Sequence, residues 1–384
     1  MRVLFVIPGL SGGGTERSLR ELVGTLVRRD IDVSIVYMVQ RPTDDVAQLE
    51  RAGARLHLVP KRRLGTHVLG IRRVITRERP DIVHTSLFEA DIAGRVAAWR
   101  APGGHRVVLS SIVNTSYDPA RLDDPNVPEW KLRGVRMIDG WTARHLTDHF
   151  HAVSHAVKDS AVEALVIDSE RVTVIERGRD PARLGEPSLE RRTRSRDALG
   201  LEQDAQVIVT VGRQEFQKGH VHLVRAFDDV AATRPGVELL IVGRNGNHTA
   251  PLEARVQRSR FRDRIKTLGH RDDVADILAG ADLFVLPSIY EGFPGAAIEA
   301  MALGLPVVAS NVPTLREVVD DGCSGLLVPP RDPVQLAEAM GRVLDDPTLA
   351  RRLGERGREL FLERLTADQS HRRMIELYER LLLT

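Results

Sequence analysis

The sequence predicts an α/β protein of two doubly wound, Rossmann-like domains. Three observations lead there. Short apolar runs alternate with amphipathic stretches along the chain. Several of those runs are continuous rather than alternating in polarity, as strands of a parallel sheet covered on both faces must be. The β/α rhythm also pauses once and restarts, and 384 residues exceed one ordinary core and suit two.

In the first half, Val3–Ile7, Val33–Tyr37, Arg55–Leu58, Ile82–His84, Val107–Ser110 and Val172–Ile175 read as strands. Glu16–Arg28, Thr66–Arg77, Ala90–Trp99 and Val157–Val166 read as the helices between them. A polar stretch rich in Arg, Glu, Asp and Pro, Arg177–Asp204, reads as the interdomain connection. The rhythm resumes with strands at Val207–Val211, Glu238–Val242, Ile265–Leu268, Leu283–Leu286, Pro306–Ala309 and Gly325–Val328. Helices near Pro333–Leu344, Thr348–Phe361 and Ala367–Leu382 close the chain. Domains are therefore expected over 1–180 and 181–366, facing each other across a central cleft at the carboxyl ends of their strands, with a helix over 367–384.

Composition narrows the function. Hydrophobic residues at 42% and charged residues at 28% describe a globular chain, while 4% aromatics provide no stacking platform for nucleic acid. A formal net charge of +2 argues against a general polyanion binder. The single cysteine, Cys323, excludes an internal disulfide and a cysteine-cluster zinc site. The apolar run at the N-terminus is too short for a signal peptide and no stretch approaches a membrane span, so a cytoplasmic protein is expected. The basic residues are mostly arginine, which points to a GC-rich, bacterial genome.

The segment from Asp282 to Ala302 carries most chemical information. A buried strand runs into a loop, and Pro294 suits the first turn of the next helix. Such a helix start presents free N–H groups and positive dipole, a seat for a diphosphate. Gly292, Gly295, Ala296 and Ala297 let a ligand approach the backbone. Glu291 precedes the helix and Glu299 lies in its second turn, so one carboxylate faces a sugar while the other grips a ribose diol. The alternative is a surface loop and a helix with a solvated Glu299.

Arg213 and Lys218 stand in the loop after the first strand of the second domain, where two cations neutralise charge on a departing diphosphate. Gly12-Gly13-Gly14-Thr15-Glu16 follows the first strand of the chain, where glycine lets backbone approach phosphate or sugar. A nicotinamide dinucleotide fits poorly there: Arg17 stands where the fingerprint needs glycine, and Tyr37–Gln40 lacks the ribose-binding acid. Asp30-Ile31-Asp32 has D-x-D spacing but joins a helix end to a strand, so no metal site is expected. The cations Arg51, Arg55, Lys61, Arg62, Arg63, Arg72, Arg73, Arg77 and Arg79 form a basic run over 51–79. This run is either a solvated face or a peripheral contact with the inner face of a membrane, at about 1 kcal/mol per well-placed charge.

With these residues in view, the chain resembles a retaining glycosyltransferase of family 4, of the GT-B fold. The marks are Glu291-x7-Glu299, the Arg213/Lys218 pair, the Gly13-Gly14-x-Glu16 loop and Gly269-His-Arg271-Asp-Asp-Val. The resemblance implies a nucleotide-diphosphate sugar as donor, a UDP-sugar before a GDP-sugar, with no separate cofactor. It implies that Arg213 and Lys218 bind the diphosphate, Glu291 the sugar hydroxyls and Glu299 the ribose. Gly13, Gly14, Glu16, Gly292, Phe293, Pro294 and Gly295 would line the sugar and phosphates, and Arg271 would pack on the base. It also implies that the helix from Ala367 returns to the first domain.

Two departures stand out. Family members often carry a histidine after the fifth strand of the first domain, where this chain has Asn114, which does not accept a proton at neutral pH. The expected acceptor side therefore comprises Asn114, Ser86 and Tyr117, with strand-end His84 as either a participant or a structural residue. The usual Asn-Gly before the second domain is replaced by Arg177-Gly178-Arg179, either further anion contacts or a solvated linker. The acceptor is left open among a glycan, a lipid-linked glycan and a small natural product, its specificity expected in the loop Tyr117–Trp130. A non-catalytic nucleotide-sugar sensor or scaffold is the alternative from a different class.

Overall fold

The continuous apolar runs of the first half become one seven-stranded sheet, and those of the second half a six-stranded sheet, every strand pair parallel. The computed structural model describes residues 1–10, 14–40, 45–60 and 65–383. The chain divides into two units: Met1–Asp118, Val127–Gly178 and Ala367–Thr384 form one, and Pro119–Asn126 with Arg179–Thr366 the other.

The first unit runs β1 (Arg2–Gly9), α1 (Gly14–Arg28), β2 (Asp32–Val39), α2 (Asp45–Arg51), β3 (Arg55–Leu58), α3 (Thr66–Glu78), β4 (Ile82–Ser86), α4 (Phe88–Ala98), β5 (Val107–Ile112), α5 (Glu129–Leu146), β6 (His149–Ala152), α6 (His155–Leu165) and β7 (Val172–Val174). Its strand order is β3-β2-β1-β4-β5-β6-β7. The β1 side chains explain the unbroken apolar run. Val3, Phe5 and Ile7 join one core layer, with Leu22, Leu26 and Ile35, while Leu4 and Val6 join the opposite layer, with Ile71, Ile75 and Ala97.

The second unit holds α7 (Pro181–Leu184), α8 (Leu189–Leu199), β8 (Val207–Val211), α9 (His220–Thr233), β9 (Glu238–Val242), α10 (Thr249–Gln257), β10 (Ile265–Gly269), α11 (Val274–Gly280), β11 (Leu283–Leu286), α12 (Gly295–Ala302), β12 (Val307–Ser310), α13 (Pro313–Arg316), β13 (Leu326–Val328), α14 (Pro333–Asp345) and α15 (Pro347–Arg364). Its order is β10-β9-β8-β11-β12-β13. Asp-Pro pairs start three of these helices. Asp180, Asp332 and Asp346 each accept from N–H groups of the first turn, and the following proline has no N–H to leave unsatisfied. The final helix, α16 (Ala367–Leu383), belongs to the first unit, where Met374, Ile375 and Tyr378 enter the layer formed by Phe5 and Leu22.

The structure corrects several expectations. Arg177–Asp204 is not a mere connection: α7 and α8 lie within it and belong to the second unit. Arg196 of α8 is fully buried, giving its guanidinium to Asp282 and to the carbonyls of Gly280, Glu202, Gln203 and Ala205. A polar composition there marks a satisfied buried cation, not solvent. The loop expected over Tyr117–Trp130 contains a 3₁₀ turn at Pro119–Asp123, and Trp130 is already within α5. Strand β6 and helices α2 and α5 have no counterpart in the sequence reading.

His84 lies in the middle of β4, not at its end. Its Nε2 is 2.6 Å from Ser111 Oγ and its Nδ1 is 2.7 Å from Tyr378 Oη. Ser111 Oγ is 2.8 Å from His151 Nδ1, and His151 Nε2 is 2.9 Å from the Ile175 carbonyl. That carbonyl only accepts, so the direction of the whole chain follows. His151 Nε2–H donates to Ile175, Ser111 donates to His151, His84 Nε2–H donates to Ser111, and Tyr378 donates to His84. Burial keeps both rings neutral, with His84 lowered to about 3 and His151 to about 4.

Candidate functional site

In an open parallel sheet the loops at the carboxyl ends of the strands share one edge, and a crevice opens where the strand order reverses. In the second unit that reversal falls between β8 and β11. The loop after β8 carries Arg213 and Lys218, and the loop after β11 carries Glu291. Lys218 Nζ is 2.5 Å from Glu291 Oε1. Ser288 Oγ donates to the same oxygen at 2.6 Å.

Glycines allow this approach. Gly219 follows Lys218 at φ +64°, and a Cβ there would stand 2.0 Å from the Pro287 carbonyl oxygen. The backbone N–H of Ile289 donates to the Gln217 carbonyl at 2.7 Å, joining the two loops. Residues Pro287–Pro294 are all buried, Glu291, Gly292 and Phe293 among them. A loop so enclosed holds its carboxylate in one place, unlike an ordinary surface connection.

Pro294 caps α12, which begins at Gly295. Glu299 is buried, which removes the reading of a solvated helix carboxylate. Arg179 Nε donates to Glu299 Oε1 at 2.8 Å, and both side chains are nearly inaccessible. Gly295 makes room for this pair, since a Cβ there would fall 2.1 Å from Arg179 Nη2. The Arg179 backbone is fixed by its own N–H to the Leu365 carbonyl at 2.9 Å. The solvated-linker alternative for Arg179 is thus wrong. Its guanidinium lies over the first turns of α12, where its charge matches the Glu299 carboxylate.

Arg213 is exposed and pairs with Glu215 at 2.6 Å. Arg271 follows β10 at the same sheet edge and forks onto Asp273, 2.7 Å to one oxygen and 2.5 Å to the other. The structure therefore brings Lys218 to Glu291 and Arg179 to Glu299, while Arg213 and Arg271 turn to local acids. Among the described residues, no three His, Cys, Asp or Glu side chains are grouped to hold a metal ion.

In the first unit the order reverses between β1 and β4. Gly13 lies outside the described residues; Gly14 opens α1 and Glu16 lies in its first turn. Arg177 Nη2 donates to Thr15 Oγ1 at 3.1 Å. Two cavities flank the end of β5, sharing Ser111 and Val113. One is lined by His84, Ser86, Leu19 and Met374 and contains the unpartnered, buried Ser86 hydroxyl. The other is lined by Asn114, Tyr117, Asp91 and Asp139, with Asn114 Oδ1 buried and unpartnered. The four residues expected on an acceptor side thus divide between two cavities, Asn114 with Tyr117 and Ser86 with His84.

The second cavity has polar walls that the sequence reading missed. Arg95 Nη1 lies 2.6 Å from Asp139 Oδ1, and Tyr117 Oη donates to Asp139 Oδ2 at 2.7 Å. Thr85 donates to Asp91 at 2.6 Å, and burial raises the Asp91 carboxyl to about 7 against the pull of Arg95. The available signal was Asp91 and Arg95 four residues apart on a helix rich in alanine and glycine.

The family described as Glycosyltransferase Family 4 matches residues 12–183, and that described as Glycosyl transferases group 1 matches 191–360. The chain is 30% identical over 311 residues to a D-inositol 3-phosphate glycosyltransferase of Xylanimonas cellulosilytica, covering 78% of this chain and 71% of that one. It is 27% identical over 288 residues to the UDP-Gal:alpha-D-GlcNAc-diphosphoundecaprenol alpha-1,3-galactosyltransferase of Escherichia coli, covering 73% and 71%. Other curated relatives are matched over as little as 50% of their length. Among solved structures, Anabaena HepE in complex with UDP-glucose superposes with a TM-score of 0.87 at 20% identity, covering 99% of this chain and 100% of that chain.

Proposed function

The chain belongs to family 4 of the glycosyltransferases, and from that membership we propose that it moves a hexose from a UDP-sugar to an acceptor hydroxyl, with retention and without a metal ion. The observation that carries this reading is the Lys218–Glu291 pair at 2.5 Å, at the strand-order reversal of the second unit. The N-terminus of α12, beside the same loop, seats a diphosphate. Lys218 and Arg213 offset the charge that builds on the leaving group, the part a divalent cation plays elsewhere. Glu291 accepts hydrogen bonds from the sugar hydroxyls. Glu299, held by Arg179, accepts from the ribose diol. The donor-sugar contacts of Gly292 and Phe293 come from a loop already buried, and that of Gly295 from the first turn of α12, so little reorganisation accompanies binding.

The chemistry follows a front-face course. The acceptor oxygen forms its bond to the anomeric carbon on the face from which the diphosphate oxygen departs. The acceptor proton passes to that departing oxygen. Asn114 needs only to accept a hydrogen bond and orient the hydroxyl, and Tyr117 beside it shapes the same cavity. This course accounts for catalysis with asparagine where the family often has histidine.

Binding tests the donor assignment. A melting screen against UDP-, GDP- and dTDP-sugars is expected to show stabilisation by UDP-sugars, with an unchanged response when magnesium is replaced by chelator. Stabilisation by none of the three contradicts the proposal.

A further inference from the structure

All three tryptophans of the chain, Trp99, Trp130 and Trp141, stand at the surface. Two lie on α5, whose Trp130, Met137, Ile138 and Trp141 are 77%, 72%, 51% and 50% exposed. At about 100° per residue, Trp130, Met137 and Trp141 fall on one narrow stripe with Ile138 beside it. The opposite face, with Asp139, Ala143 and Leu146, is buried in the unit. The helix thus keeps small and polar groups inside and presents its largest apolar groups outward, the reverse of an ordinary surface helix.

Cations frame the stripe. Lys131, Arg133, Arg136 and Arg144 are exposed. The acids of the helix are Glu129, paired with Arg133, and the buried Asp139. Arg144, next to the stripe, and Arg136, further round the helix, donate to the Leu165 and Ala164 carbonyls at the end of α6. The cations of the basic run 51–79 are likewise partly taken up by neighbours. Arg55 is taken up by Asp32 and Glu78, Arg77 by Glu78, and Arg72 by the last carbonyls around α4, while Lys61, Arg62 and Arg63 lie outside the described residues.

We propose that the outer face of α5 docks on an anionic lipid bilayer. Trp130, Met137 and Trp141 enter the headgroup boundary, where amphipathic rings are favoured. Lys131 and Arg133 reach lipid phosphates along their apolar stems, while Arg136 and Arg144 add positive charge from where α6 holds them. Large apolar residues on a cationic face are the mark of a helix lying in the interface. The buried side of α5 contributes Asp139 to the Asn114–Tyr117 cavity, so docking brings that cavity to the lipid surface. Use of this cavity for a lipid-borne acceptor rests on the glycosyltransferase reading; docking itself does not.

The test uses the full chain with vesicles of phosphatidylglycerol and phosphatidylethanolamine, and separately of phosphatidylcholine. Tryptophan emission reports the surface alone, because no tryptophan is buried. Co-sedimentation with the anionic vesicles is expected, with emission moving to the blue, quenching by brominated acyl chains, and binding to phosphatidylcholine weaker by about tenfold or more. Trp130→Gln with Met137→Gln should lower binding by about tenfold or more at an unchanged melting temperature. Lys131→Gln with Arg133→Gln should weaken only the anionic case and flatten its salt dependence. Failure to sediment with anionic vesicles, unshifted emission, or binding indifferent to the Trp130 and Met137 changes would overturn the proposal. A concentration-dependent rise in mass without lipid that shields the tryptophans would also overturn it, assigning the face to a second copy.

Discussion

Arg179 and Glu299 form a buried ion pair, Nε to Oε1 at 2.8 Å, across the first turns of α12. Removing one partner leaves the other charge buried and uncompensated. Arg179→Ala is therefore expected to destabilise the protein by about 3–5 kcal/mol, whereas Arg179→Met with Glu299→Leu recovers much of that loss. Urea unfolding followed by circular dichroism reads both. Under the proposed ribose role the double variant, though stable, has a raised KM for donor; an unchanged KM would make the pair purely structural.

Gly219 links the Lys218 loop to the Pro287 carbonyl. Its φ of +64° and the 2.0 Å approach of a Cβ to that oxygen leave no room for alanine. Gly219→Ala is expected to cost more than about 1 kcal/mol and to displace Lys218 from Glu291. Donor-induced stabilisation in a melting assay should fall with it; a full donor response would show that the close approach is dispensable.

The hydroxyl of Tyr378 supplies the hydrogen bond to His84 Nδ1. Tyr378→Phe leaves that buried nitrogen without a donor and is expected to cost about 1–3 kcal/mol. The penalty should appear as earlier detachment of α16, measurable as faster amide exchange over 367–383. Exchange unchanged there would show that the Tyr378–His84 bond does not hold α16 in place.

Acid should destabilise the fold. Burial lowers His84 and His220 to about 3, and His149 and His151 to about 4. Unfolded histidine takes its proton near 6.5, so below that pH the unfolded chain binds protons the native state refuses. Asp91 acts oppositely. Its carboxyl, raised from 3.8 to about 7, contributes stability that is fully present below 3.8 and lost as pH rises to about 7. Four groups outweigh one, and calorimetry should show melting temperature falling between pH 6.5 and pH 4. His220 is buried with both ring nitrogens unpartnered, so His220→Leu should flatten that fall. A slope unaffected by the substitution would contradict the histidine account.

Much of this was legible in the sequence because it rests on local rules. Val207–Val211, Glu238–Val242 and Leu283–Leu286 appear as strands with the very limits read from their continuous apolar runs. Small residues around Gly295 signalled close approach to the backbone there, and Arg179 packs against it. The rest depended on long-range pairing. Helix α5 was not read because the face it buries, Asp139, Gly140, Thr142, Ala143 and Leu146, is mostly small and polar rather than the usual apolar stripe. Strand β6 is four residues long and carries two histidines, one of which is locked in a buried network. Arg177 and Arg179 read alike, as anion contacts or a solvated linker, yet one bonds Thr15 and the other is buried on Glu299, 120 positions away.

The central claim is that Glu291, held by Lys218 and Ser288, grips the donor sugar. Its most direct test is nucleotide release from a UDP-sugar by Glu291→Ala, at matched protein concentration and with folding verified by melting. The account predicts turnover lower by about 10²–10³ or more with UDP alone still bound, because the lost contacts are to the sugar rather than the nucleotide. Near-normal release of UDP by the variant would contradict it.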